Sequence, residues 1–203
     1  MSEANGGVRN DSHTDAQSGP VDGSAGPHGD ARRVFGEWKP DDPQQEALRH
    51  AFLTLLDARA DGCLRACEPG HVTASAVLLD STGRNVLLTL HPRVGAWLQL
   101  GGHCEPEDTT LAGAALREAS EESGIEGLVV DPVPVHLDVH PITCSLGVPT
   151  RHFDVRFVVR APEGAEAARS DESLDLRWWP VEALPDGSDL GPLVAAASRR
   201  VSG

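Results

Sequence analysis

The run Gly101-Gly102-His103-Cys104-Glu105-Pro106-Glu107-Asp108, continuing through Thr109–Leu116 into Arg117-Glu118-Ala119-Ser120-Glu121-Glu122-Ser123-Gly124-Ile125, decides the fold. A Gly-Gly turn leads through an acidic loop into a helix expected over 110–123. Gly124 suits a left-handed cap that ends it. At ~100° per residue, Glu118, Glu121 and Glu122 fall within an arc of roughly 100° and share one face. Ala112, Leu116 and Ala119 form a separate stripe able to pack under a sheet. Carboxylates at i, i+3 and i+4 repel one another unless positive charge sits among them. Arg117, four residues before Glu121, can pair with one of them. A hard divalent cation such as Mg²⁺ or Mn²⁺ neutralises the rest, because it prefers oxygen ligands and bridges carboxylates to phosphates.

Outside this run the periodicity alternates between helix and strand. Asp42-Pro43-Gln44-Gln45 is a helix start, with a carboxylate cap, Pro at the first helical position and Gln three residues after the cap. Leu48, Phe52, Leu55 and Leu56 follow at helical spacing, and Gly62 closes the segment. Val72–Asp80 and Val86–Leu90 flank Ser81-Thr82-Gly83 as a hairpin. Leu128–Val139, Phe153–Val159 and Leu174–Val181 read as strands, and Leu190–Arg200 as a closing helix. Strands flanked by helices predict an α/β class with a mixed β-sheet covered on both faces.

Residues 1–42 contain almost nothing large and apolar before Phe35 and Trp38, which predicts a disordered acidic tail ahead of a domain over 43–203. The 203 residues carry 17 basic and 31 acidic groups, a net charge of −14. That field disfavours long nucleic acid and anionic membrane as partners. No apolar run reaches the ~18–20 residues of a membrane span and no secretory stretch opens the chain, so a cytoplasmic protein is expected. The four cysteines are scattered and do not frame a disulfide scaffold.

The 101–125 segment resembles the Nudix box, G-x5-E-x7-R-E-U-x-E-E-x-G-U with U aliphatic. The match runs through Gly102, Arg117, Glu118, Ala119, Glu121, Glu122, Gly124 and Ile125. It departs in the first half: counting forward from Gly102, the first acidic place holds Asp108, with eight residues rather than seven before Arg117. Counted back from Arg117, that place holds Thr109. The resemblance implies a Nudix-like α/β/α sandwich and a metal-dependent pyrophosphohydrolase. Such an enzyme cleaves a diphosphate linkage in a nucleotide-type small molecule. It further implies Glu118, Glu121 and Glu122 as metal ligands, with the Gly102 carbonyl as a fourth. Arg117 and Gly124 are structural in this scheme. The general base is then Glu121 or Glu172. Two other classes stay open on the same fold, an isoprenyl-diphosphate-type isomerase and a non-catalytic nucleotide sensor.

Substrate contacts are sought among groups that bind phosphate or a base. Arg93, Arg151 and Arg156 can each clamp a phosphate, Trp97 can stack on a base, and His140 can reach substrate. His103, His136, His140 and His152 invite a metal reading, but His136 and His140, the pair with ligand-like spacing, lie ~13 Å apart in a strand and cannot share one ion without a turn, so substrate contact or satisfied polar roles are expected instead. Cys63 and Cys67 lack a second pair for zinc.

Overall fold

The structure, a computed structural model, describes residues 26–143, 147–170 and 173–202. Its spine is a parallel pair: β1 (His71–Leu79) lies beside β7 (Pro149–Arg160) in unbroken register from His71↔His152 to Leu79↔Arg160. Every residue of β1 is buried, as expected of a strand covered on both faces. The other edge of β1 divides. Its last two residues pair with β2 (Asn85–Leu90), whereas Thr73–Ala76 pair antiparallel with β4 (Leu100–His103). β2 carries β3 (Trp97–Leu98) and β8 (Asp175–Pro180), and β7 carries β5 (Val129–Val130) and β6 (His136–Thr143). The result is a curled, mixed sheet of the α/β class.

The hairpin expected over 72–90 forms, but its strands separate after two register pairs because β4 occupies the rest of the β1 edge. The strand expected over 128–139 is two strands. Pro132 and Pro134 lie between β5 and β6, and proline has no amide to give a ladder.

Helices cover both faces. α2 (Pro43–Ala58) and α3 (Leu111–Ser123) share a core with Val72, Ala74, Leu137, Val155 and Phe157. α4 (Gly191–Ser202) covers Val77, Leu79, Val86, Leu88 and Val158 on the opposite face. Asp42 caps α2, accepting from Gln44 N at 2.7 Å. Gln45 takes a different part from the one its spacing suggests. Its Oε1 accepts from Leu137 N at 2.6 Å and its Nε2 donates to Leu137 O at 3.1 Å, so the amide pairs with the backbone of β6. α2 ends at Ala58, before Gly62.

The disordered tail expected over 1–42 is corrected for residues 26–37, which form helix α1 (Gly26–Glu37). Ala31, Val34 and Phe35, at i, i+3 and i+4, are buried, and Phe35 meets Phe52 edge-on at 5.0 Å between centroids. Asp30 accepts from Leu111 N at 2.8 Å, placing a carboxylate at the N-terminus of α3. Three apolar residues in a polar stretch are too few to signal a helix. Their stabilisation comes from tertiary partners.

Phe35→Ala removes a fully buried ring from this core and is expected to cost about 3–5 kcal/mol, read as a lower urea midpoint with an unchanged m-value. A loss below ~1 kcal/mol would show that α1 is not part of the cooperative unit.

Candidate metal and phosphate site

α3 presses small side chains against the sheet. Ala112, Ala114, Ala115 and Ala119 are buried with Leu111, while the expected Leu116 is only partly so. The helix opens on Thr110, whose hydroxyl accepts from Gly113 N at 3.0 Å, and closes on Gly124 at φ +65°. This brings the acidic face onto β4. A Cβ at Gly102 would lie 2.7 Å from Glu118 Cδ and from both its carboxylate oxygens. Gly101 N donates to Glu122 Oε2 at 3.1 Å. Glu118 and Glu122 therefore rest directly on a backbone stripped of side chains. Glu121, more exposed, stands beside them.

Arg117 ties the cluster together. Its Nη1 donates to Glu118 Oε1 at 3.0 Å and to Glu121 Oε2 at 3.2 Å. Its Nε and Nη2 hold both oxygens of Asp108 at 3.2 and 3.1 Å, and Nη2 also reaches His103 O at 3.0 Å. Hydrogen bonding to Asp108, helped by the charges of Glu118 and Asp108, raises the guanidinium pKa above its ordinary value. Asp108 thus buttresses Arg117, and it also accepts from Glu105 N at 2.8 Å. The extra loop residue is absorbed without losing this carboxylate. Arg117 is a single cation facing Glu105, Asp108, Glu118 and Glu121, so the site keeps excess negative charge and hard oxygen donors. That donor set fits Mg²⁺ or Mn²⁺.

The opposite face of the same strands holds a second polar group. Asp154, buried on β7, accepts from Thr73 (3.1 Å), Ser75 (2.7 Å), Gln99 (3.2 Å) and Arg156 Nε (2.8 Å). Arg156 continues to Asp138 at 3.1 Å, and Asp138 meets His140 Nδ1 at 2.8 Å. His136 and His140 do lie on one face of β6, but they diverge. His136 meets Gln45 and Arg156, whereas His140 packs its ring 5.4 Å from His152. His71, His103 and His152 converge instead: their ligand nitrogens all lie within 4.8 Å of one another. Burial pushes His103 down to about 3 and His152 down to about 4, each further disfavoured by neighbouring imidazoles. His71 carries no signal of its own in the sequence, since strand register decides which histidines meet.

The remaining sequence candidates are dispersed. Arg93 is exposed in the turn between β2 and β3, and Arg151 is exposed on β7. Trp97 is half-buried, edge-on to Trp179 at 5.3 Å with Arg177 over its ring at 5.8 Å. Cys63, Cys67 and Cys104 are buried free thiols. Glu172 and Cys144 lie outside the described residues.

A Nudix-domain family model matches residues 69–197, a span that takes in the whole sheet, the Gly101–Gly102 pair on β4 and the acidic helix. The chain belongs to the Nudix family. Similar solved structures include a NUDIX-family hydrolase from Clostridium perfringens, 22% identical over 65% of this chain and 96% of that one, with a TM-score of 0.48. An Ap4A hydrolase from C. elegans is 22% identical over 65% and 98% of the two chains, with a TM-score of 0.47. A MutT NUDIX hydrolase from Burkholderia pseudomallei is 19% identical over 64% and 97%, with a TM-score of 0.46. No curated protein sequence matches the chain. Among the described residues of this Nudix protein, no helix is long and apolar enough to cross a membrane.

Two outcomes test the site's construction. Arg117→Ala leaves Asp108 and Glu118 without their shared cation and is expected to cost about 2–3 kcal/mol in urea unfolding, with Arg117→Lys recovering only part because it lacks the planar fork. On the other face, the hydrogen bond to Asp138 raises the His140 pKa and lowers that of Asp138. The His140 contribution is complete below its ordinary value of ~6.5 and fades as pH rises through the higher folded value. The Asp138 contribution is present above its ordinary ~3.9 and fades as pH falls through the lower folded value. An NMR titration should therefore place the His140 midpoint above 6.5, and Asp138→Asn should lower it.

Proposed function

We propose that this Nudix protein is a Mg²⁺- or Mn²⁺-dependent pyrophosphohydrolase acting on a diphosphate linkage in a nucleotide-type small molecule, a nucleoside diphosphate bonded to another group. What supports this reading is the placement of Glu118 and Glu122 on the bare Gly101–Gly102 backbone, with Arg117 spanning Glu118 and Glu121. Glu118, Glu121, Glu122 and the Gly102 carbonyl would hold the ion. Bound there, a divalent ion supplies neutralisation of phosphoryl oxygens and a more acidic water.

The chain's own groups divide the remaining work. Glu118 and Glu122 are fixed by β4, so their oxygens are oriented before substrate arrives. Arg117 limits how far Glu118 and Glu121 can splay. Glu121, more exposed than its neighbours, accepts the proton of the attacking water, with Glu172 as the alternative base. The water oxygen bonds to one phosphorus, the bond from that phosphorus to the bridging oxygen breaks, and the bridging oxygen leaves with the second phosphate. Arg93, Trp97, His140 and Arg151 are the proposed substrate contacts. The acidic chain, at −14, favours a small metal-complexed anion over a polymer.

The test is a panel of nucleotide sugars, dinucleoside polyphosphates and deoxynucleoside triphosphates assayed with Mg²⁺ and with Mn²⁺. Two phosphorylated products are expected, and Glu122→Gln should cut turnover by roughly two orders of magnitude or more. Undiminished turnover in the variant refutes the ligand assignment. Binding without turnover favours a sensor, and movement of a double bond in an isopentenyl diphosphate favours an isomerase.

A further inference from the structure

The histidine trio lies on the sheet face away from α3, and the carboxylate chemistry does not use it. Strand register assembles it. His71 of β1 faces His152 of β7, and His103 of β4 faces Thr73, two residues along β1. The three rings are mutually 5.1 Å apart between centroids. His71 Nδ1 lies 3.2 Å from Cys67 O, so that nitrogen carries the proton and donates, leaving Nε2 with its lone pair. His71 Nε2 and His152 Nε2 are both buried without a hydrogen-bond partner. Buried polar atoms left this way are costly, and a native structure keeps them for a reason.

We propose that His71, His103 and His152 form a second metal site, selective for a borderline transition ion of the Zn²⁺ type and separate from the carboxylate cluster. The donor chemistry sets the class: three imidazoles and no carboxylate suit Zn²⁺ and its neighbours, and suit Mg²⁺ poorly. Asp154 is nearby on β7, but its two oxygens already accept four hydrogen bonds, so the ligand set is three nitrogens. Zn–N bonds of ~2.0–2.1 Å in a tetrahedron place ligand nitrogens roughly 3.3 Å apart. The nitrogens here lie within 4.8 Å, a gap that small side-chain rotations on three fixed strands can close. The bond from His71 to a backbone carbonyl is the outer support that orients metal-binding imidazoles. Three protein ligands leave a fourth position for water or an anionic oxygen.

The full chain, stripped with chelator and then loaded with Zn²⁺ or Co²⁺ in excess Mg²⁺, tests this directly. About one Zn²⁺ per chain should survive dialysis, and Co²⁺ should develop the visible absorption of a tetrahedral site. X-ray absorption on the wild-type zinc form, which needs no variant, should give three nitrogen scatterers at ~2.0–2.1 Å. His71→Ala, His103→Gln and His152→Gln should each weaken retention by ~100-fold or more, whereas the exposed His50→Ala should retain the ion. Glu118→Gln and Glu122→Gln should also retain it, which keeps this outcome distinct from that of the hydrolysis assay. An oxygen-only shell, no retained ion, or a Co²⁺ spectrum lost in the glutamate variants and kept in the histidine variants would overturn the site.

Discussion

The close approach of an unadorned backbone at Gly101 and Gly102 is the constraint on which the rest of the molecule depends. A Cβ at Gly101 would sit 2.5 Å from Ser75 Cα, and one at Gly102 would collide with the Glu118 carboxylate. Gly101 also adopts φ +147°, a conformation that side chains disfavour. With no side chains in the way, β4 can lie against β1 on one side and under α3 on the other. β4 in turn displaces β2 from most of the β1 edge, and this opens the curl of the sheet. The same two residues set the floor beneath Glu118 and Glu122 and deliver His103 to the other face.

Electrostatics explains why the acidic helix is tolerated in a chain that is already strongly negative. Like charges on one helical face cost stability when left alone. Arg117 offsets part of this through Glu118, Glu121 and Asp108 together, in a geometry that only a planar fork can reach. Asp108 matters here as the far anchor of that fork, which is why a loop one residue longer still serves. The positive end of α3 is likewise answered from a distance, by Asp30 of α1. A segment outside the family match therefore helps hold the helix that carries the carboxylates.

Much of the fold and of the carboxylate cluster is legible in the order of residues alone. The acidic arc, the Gly124 stop, the Pro43 start with its Asp42 cap, and the strands at 72–80, 86–90 and 153–159 follow from spacing and residue type. These features are local, and local propensity agrees with the fold at each of them. Helix α1 is not legible in this way, because Ala31, Val34 and Phe35 are diluted in a polar stretch and gain their value only against Phe52 and its neighbours. Gln45 misleads because its capping spacing is genuine, yet a strand distant in sequence offers it a better partner in Leu137.

By itself the sequence determined that a helix would present Glu118, Glu121 and Glu122 together, since 3.6 residues per turn leave no alternative once the helix forms. The Gly101–Gly102 pair reads as a turn in the sequence, but it lies within β4, where its bare backbone makes a close contact. Only the tertiary structure decided what makes that contact and which histidines meet. His71, His103 and His152 come from three strands, and their meeting depends on the pairing of β1 with β4 and β7. Strand register is a long-range choice, and a slip of one residue would turn each side chain to the other face.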